Sequence, residues 1–171
     1  MEKVLVIIDM QNDFIDGSLA NSAAAAIVDK MVEYINNWDG DIYLSLDLHM
    51  DNYLSTREGQ KLPIKHCIAG TEGAKINAKI AEAACKHKKG LFVIEKSEFG
   101  SFSWGDLERY TDIEICGVCT DICVVSNALI IRSMHPEANI SLIEALCAGT
   151  TEEKHRAAVQ VMESCNINII K

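Results

Sequence analysis

The sequence predicts a three-layer α/β/α sandwich built on a parallel sheet, and two patterns predict it. Short β-branched, nearly continuous apolar runs recur at Val4 to Ile8, Ile42 to Leu46, Leu91 to Ile94, Ile113 to Cys116, Ile140 to Ile143 and Ile167 to Ile170. Between them lie longer stretches whose apolar residues repeat at helical spacing. Strands without polar alternation are buried on both faces, and crossover helices returning over a parallel sheet supply that cover.

Taken in order, the first run leads to a helix over Ala23 to Trp38, with Ile27, Met31, Val32 and Ile35 on one face. The second run is followed by an irregular segment, Asp47 to Gly73, and then a helix over Ala74 to Lys86. An irregular stretch of that length is usually functional, so it is the candidate substrate-binding loop. A short helical piece is expected near Asp106 to Tyr110, and full helices over Ile122 to Met134 and Glu152 to Cys165. Gly40, Gly90 and Gly149 punctuate the boundaries. No linker or repeat divides the chain, so residues 1–171 are expected to form one domain.

Composition narrows the function. A formal net charge of -9 disfavours nucleic acid and anionic membrane surfaces, both of which require clustered Lys and Arg. The apolar start is far shorter than the roughly 20 residues of a membrane span. Seven cysteines at long, irregular spacings, with no signal peptide, read as free thiols in a reducing cytoplasm. The expected ligand is a small molecule.

In an open parallel sheet, ligands bind beyond the carboxyl ends of the strands. The residues placed there are Asp9, Asp47 with His49, Lys96, and the run Gly117 to Cys123. Asp9 could cap a turn and Lys96 could be a solvated charge. Cys123 sits where a strand gives way to a helix, and a helix N-terminus stabilises a thiolate and offers free N–H groups to an oxyanion. It could equally be a small apolar core residue. Cys116, Cys119 and Cys123 form a C-x₂-C-x₃-C run that lacks the fourth ligand of a zinc or iron–sulfur site. Asp47, His49 and His66 offer carboxylate and imidazole to a divalent zinc, iron or manganese ion, or are ordinary hydrogen-bonded side chains.

Five blocks in order, Ile8-Asp9-Met10-Gln11-Asn12-Asp13-Phe14, Asp47-Leu48-His49, His66 to Ala74, Glu95-Lys96 leading to Ser101-Phe102, and Gly117 to Val124, resemble the nicotinamidase and isochorismatase-like cysteine hydrolase family. The resemblance implies a six-stranded parallel sheet of order 3-2-1-4-5-6. It implies a catalytic triad of nucleophile Cys123, general base and acid Asp9, and Lys96 as the ordering cation. It further implies a cis peptide between Val118 and Cys119, an oxyanion site formed by the N–H groups of Cys119 and Cys123, and Phe14 with Val118 against the substrate. A divalent metal on Asp47, His49 and His66 would hold a pyridine nitrogen, which places nicotinamide first among small amide substrates, and a homo-oligomer, dimer or tetramer, is implied as well. Departures from the family pattern are Tyr53 where another histidine is usual, Leu62-Pro63-Ile64-Lys65 where a tryptophan precedes the His-Cys pair, and a short loop after Lys96. Hydrolysis of another small amide or carbamoyl compound, and a non-catalytic binding role on the same fold, remain the alternatives.

Overall fold

The structure is a computed structural model and describes residues 2–171. In chain order its elements are β1 (Lys3–Ile8), α1 (Asn12–Ile15), α2 (Ser22–Asn37), β2 (Asp41–Asp47), α3 (Arg57–Lys61), α4 (Ala78–Lys86), β3 (Leu91–Lys96), β4 (Asp112–Val118), α5 (Val125–Met134), β5 (Asn139–Ala148), α6 (Glu152–Ser164) and β6 (Asn168–Ile170). Single 3₁₀ turns lie at Tyr53–Ser55 and Gly105–Arg109, and a π-helical turn spans Thr120–Val124.

The six strands form one parallel sheet in the order β3-β2-β1-β4-β5-β6, the arrangement expected from the sequence. β1 is central, and Val4 through Ile8 are fully buried, which is why that run carries no polar alternation. Fully burying one such side chain contributes roughly 1.5–3 kcal/mol relative to leaving it in water. From β1 the chain steps outward through β2 to β3, then crosses back to β4 and steps the other way. Right-handed crossovers in opposite directions put the helices on opposite faces. Accordingly α2 packs on α4, and α5 on α6. The reversal between β1 and β4 is the topological switch point, where a crevice opens beyond the strand ends.

Three boundaries differ from expectation. The helix expected from Ala74 begins at Ala78, because the Asn77 side chain accepts the Lys79 N–H and caps it. Residues before the cap instead tie the loop to the end of β1, through Asn12 N–H to Lys75 O and Asn77 N–H to Met10 O, both at 2.9 Å. The helix expected from Ile122 begins as the π turn. β5 runs on to Ala148 with a shift in register between Ile115 and Gly117 on β4, a bulge that re-aims the strand end. The segment from Asp47 to Gly73 is irregular but anchored: His49 bridges Ile68, and the Tyr53 hydroxyl donates to Leu62 O at 3.0 Å.

Candidate active site

At the switch point, Asp9 follows β1 in the left-handed region (φ 50) and is fully buried. That conformation, tolerated by a short polar side chain, turns its carboxylate across the strand ends. Oδ1 accepts the Ser45 hydroxyl at 2.5 Å, and Ser45 Oγ accepts the Asp9 N–H at 3.2 Å. Oδ2 is left facing Lys96, whose Nζ lies 2.6 Å away, with both side chains at or below 2% exposure. Lys96 Nζ also donates to Cys123 Sγ at 3.6 Å. Ends of β1, β3 and the turn after β4 thus converge on one buried thiol, carboxylate and ammonium.

The electrostatics follow from burial. Desolvation lifts the Asp9 carboxyl above its ordinary value, Lys96 opposes that lift, and the negative charge of Asp47 adds to it. Burial also raises the Cys123 thiol well above its usual value, and Asp9 raises it further while Lys96 pulls it down. Burial alone would push Lys96 down, but the Asp9 carboxylate and the Cys123 sulfur hold it above its ordinary range. Lys96 therefore favours the ionised form of both groups it touches, against the burial that disfavours it.

The turn that carries the thiol is widened. Cys119 O accepts from Ile122 N–H at 3.0 Å and from Val124 N–H at 3.1 Å, a five-residue bond that passes over Cys123. A π turn of this kind frees backbone N–H groups and occurs frequently at functional sites. The Val118–Cys119 peptide is cis, and Gly117 has φ 120. A Cβ on Gly117 would stand 2.1 Å from Ile8 O, so only glycine lets β4 approach β1 there. Among the described residues, neither Cys119 N–H nor Cys123 N–H donates to a loop or cap carbonyl.

The thiol opens onto a cleft of about 460 Å³ lined by Phe14, Asp47, His66, Cys119, Cys123 and Phe99 among others. Leu62 and Leu19 contribute apolar surface to it. Phe14 leans on the His66 ring, with centroids 5.7 Å apart. Val118, expected beside Phe14, is fully buried in the core and does not reach this lining. Cys119, one residue on and beyond the cis peptide, faces the cleft instead.

Asp47, His49 and His66 meet as expected, with one donor atom from each within 4.8 Å of the others. The extended end of β2 puts Asp47 and His49 on the same side, and the loop returns His66. Burial would raise the Asp47 carboxyl, but His49 and His66 together with Lys96 hold it well below the carboxylate range. His49 Nε2 lies 3.0 Å from Asp47 Oδ2, yet it is off the direction of a hydrogen bond and buried without a partner. An imidazole nitrogen orphaned beside a carboxylate suits a divalent cation. Among the described residues no other such cluster occurs, so the Cys116, Cys119 and Cys123 run is not one; Cys116 is fully buried within β4.

Four contributors were not anticipated. Glu58 on α3 places Oε1 3.8 Å from His49 Nε2 and 3.7 Å from His66 Nε2, supplying a carboxylate near the position where the family pattern suggested a histidine and Tyr53 stands. Ser45 orients Asp9. Gln11 stitches β1 to β2, donating to Asp47 O at 2.7 Å and accepting Asp47 N–H at 2.8 Å. Asn127 on α5 accepts from Ser101 N–H and Trp104 Nε1, both at 2.9 Å, and donates to Phe99 O and Cys123 O. Of these only Gln11 lay inside a quoted motif.

Residues 3–171 match the isochorismatase domain. The chain belongs to the isochorismatase family. Within that family, it is 33% identical over 144 residues to an uncharacterised isochorismatase family protein, PncA, of Bacillus subtilis (strain 168), covering 75% of this chain and 78% of that one. Its fold superposes on the crystal structure of the nicotinamidase PncA from Bacillus subtilis with a TM-score of 0.86 at 25% identity, over 100% of both chains. The pyrazinamidase of Pyrococcus horikoshii in complex with zinc superposes with a TM-score of 0.83 at 26% identity, over 100% of this chain and 99% of that chain.

Proposed function

We propose that the chain is a cysteine amidohydrolase of nicotinamidase type, converting nicotinamide and water to nicotinate and ammonia. The observation that carries this reading is the buried Asp9, Lys96 and Cys123 cluster opening onto the same cleft as Asp47 and His66. Its family relatives named nicotinamidase and pyrazinamidase support the substrate class.

The Cys123 thiol proton passes to Asp9 Oδ2 as sulfur attacks the carboxamide carbon. Lys96 keeps Asp9 ionised beforehand and faces the sulfur as negative charge develops there. The tetrahedral oxyanion is received by the N–H groups of Cys119 and Cys123 on the widened turn. Asp9 then gives its proton to the departing nitrogen and ammonia leaves; water, deprotonated by the same carboxylate, attacks the thioester carbon, the C–S bond breaks, and Asp9 returns that proton to the Cys123 sulfur as nicotinate is released. Phe14 provides an aromatic wall for the ring. Asp47, His49 and His66, with Glu58 beside them, would hold a divalent ion, which when bound supplies a Lewis acid for the pyridine nitrogen.

The test is ammonia release from nicotinamide by metal-replete protein, set against a panel of other small amides and carbamoyl compounds, with Cys123→Ala as control. Turnover of nicotinamide that vanishes in the variant supports the reading. Turnover surviving in Cys123→Ala, or preference for a carbamoyl compound, overturns it.

A further inference from the structure

One wall of the cleft comes from an element that the chemistry above does not use. The bulge in β5 brings Cys147 opposite Gly117 and Ala148 opposite Val118, which delivers Gly149 and Thr150 to the side of the π turn. Thr150 lines the cleft together with Cys119, Ile122 and Cys123. It is held there by Asp121 of the turn itself: Oδ1 accepts the Thr150 N–H at 2.7 Å and Oδ2 accepts the Thr150 hydroxyl at 2.5 Å. The contact admits no bulk, since a Cβ on Gly149 would stand 3.0 Å from Asp121 Oδ1 and 2.7 Å from His155 Cβ.

Neighbouring bonds fix the two halves of this buckle. Thr120, fully buried, shares a 2.9 Å hydrogen bond with His155 Nδ1 on α6. Asn21, which caps α2, donates to Gly149 O at 2.8 Å and itself lines the cleft. Two consecutive residues of the thiol-bearing turn therefore grip this side of the fold, Asp121 the β5 to α6 connection and Thr120 the first turn of α6. Neither touches the ammonium, the carboxylate or the metal-ligand cluster.

We propose that Asp121 and Thr150 are positioning residues that set the width of the cleft between the turn carrying Cys123 and the wall after β5, and so decide how tightly a planar amide is held against the thiol. This rests on the amidohydrolase reading for its kinetic consequence, but the geometry it describes is independent of turnover. Hydrogen bonds to an ionised acceptor are the stronger kind, and a carboxylate accepting both the N–H and the hydroxyl of one residue fixes that residue's backbone and side chain together. Loosening it widens the wall without altering the groups that move protons.

The test compares Asp121→Ala, Thr150→Ala and Thr150→Ser with the parent protein. Two readouts are taken. Steady-state hydrolysis of nicotinamide separates KM from kcat. Alkylation of Cys123, followed by peptide mass analysis, compares the bulky reagent N-ethylmaleimide with the small reagent iodoacetamide. Thr150→Ala and Asp121→Ala are expected to raise KM by about two- to fivefold, the scale of a charged contact open to solvent, with kcat changed much less, and to raise the N-ethylmaleimide to iodoacetamide rate ratio in the same direction. Thr150→Ser, which keeps both bonds, restores parent behaviour. Unchanged KM and unchanged rate ratio in both alanine variants overturn the proposal, as does a fall in kcat with KM unchanged. Should the parent fail to release ammonia from nicotinamide, the amidohydrolase reading falls while the alkylation ratio still decides the buckle. A variant that does not fold is replaced in both readouts by Asp121→Asn, which keeps an acceptor for the Thr150 N–H and is expected to show a smaller change in the same direction.

Discussion

Lys96 divides between stability and the chemistry proposed for it. Its ammonium is buried against Asp9 at 2.6 Å, and removing one partner of a buried pair leaves the other uncompensated, at about 3–5 kcal/mol. Lys96→Met is expected to lower kcat by roughly 10³-fold or more, the scale of losing a member of a catalytic unit, as read from ammonia release. Its stability should also acquire a pH dependence of known sign. The Asp9 carboxyl is already raised by burial and rises further without the ammonium. A carboxyl raised in the folded state contributes stability below its unfolded value of about 3.9 and loses it as pH rises through the folded value. Thermal denaturation of the variant across a pH series should show Tm falling above about pH 4 more steeply than in the parent; parallel curves would contradict the pairing. For activity the same raised carboxyl must be ionised to accept the thiol proton, so the acid limb of kcat/KM should lie above the ordinary carboxylate value. At this scale the sequence was legible where a polar residue closes or directly follows an apolar run, as Asp9 after β1, Asp47 ending β2 and Lys96 ending β3 do. Glu58 was not, because it lies in the irregular segment and only the fold carries it to two histidines; Val118 closes β4 inside the core, while Cys119 beyond the cis peptide lines the cleft.

Among the elements, the π turn before α5 bears the Cys123 thiol, and Asn127 on α5 is the joint between that turn and the loop after β3. Its side chain makes four hydrogen bonds, to Ser101 N–H, Trp104 Nε1, Phe99 O and Cys123 O, and Asn127 is fully buried. Asn127→Ala orphans several buried groups at once, so a loss of about 2–4 kcal/mol is expected at roughly 1–3 kcal/mol for each unsatisfied buried group, partly relieved by water. Denaturant unfolding reads the stability, and limited proteolysis should cut first between residues 97 and 104; wild-type stability would show that the joint carries no strain of its own. The central strands were legible because parallel strands buried on both faces leave unbroken apolar runs; the edge strands β3 and β6 carry such runs although Phe92, Val93 and Ile170 are exposed. The extension of β5 was not, since Glu144 interrupts the apolar run just where the bulge lies, and neither was the late start of α4, because Asn77 capping competes with an apolar pattern that already looks helical at Ala74.

For the molecule as a whole, the candidate metal cluster joins the sheet to its least regular segment. Asp47 and His49 stand at the end of β2 and His66 near the far end of the loop, with Glu58 on α3 beside both histidines, so a cation bound by the first three would close a long excursion of chain onto the rigid strand ends. A ligand that binds only the folded state stabilises it by an amount set by its concentration relative to Kd, about 2.7 kcal/mol at a hundredfold excess. Zinc, iron or manganese added to metal-stripped protein is therefore expected to raise Tm, and a chelator to lower it. Glu58→Gln should weaken metal affinity by about tenfold or more, the scale found when a supporting carboxylate is lost, and His66→Ala should abolish the shift. The thiol lies outside the donor set, so chelation should raise KM for nicotinamide while leaving iodoacetamide alkylation of Cys123 at its original rate. Equal losses of alkylation and turnover on chelation would mean that the cluster holds the thiol-bearing turn in place rather than the substrate, and a Tm indifferent to every metal in both the parent and His66→Ala would make Asp47, His49 and His66 a hydrogen-bonded anchor of the loop.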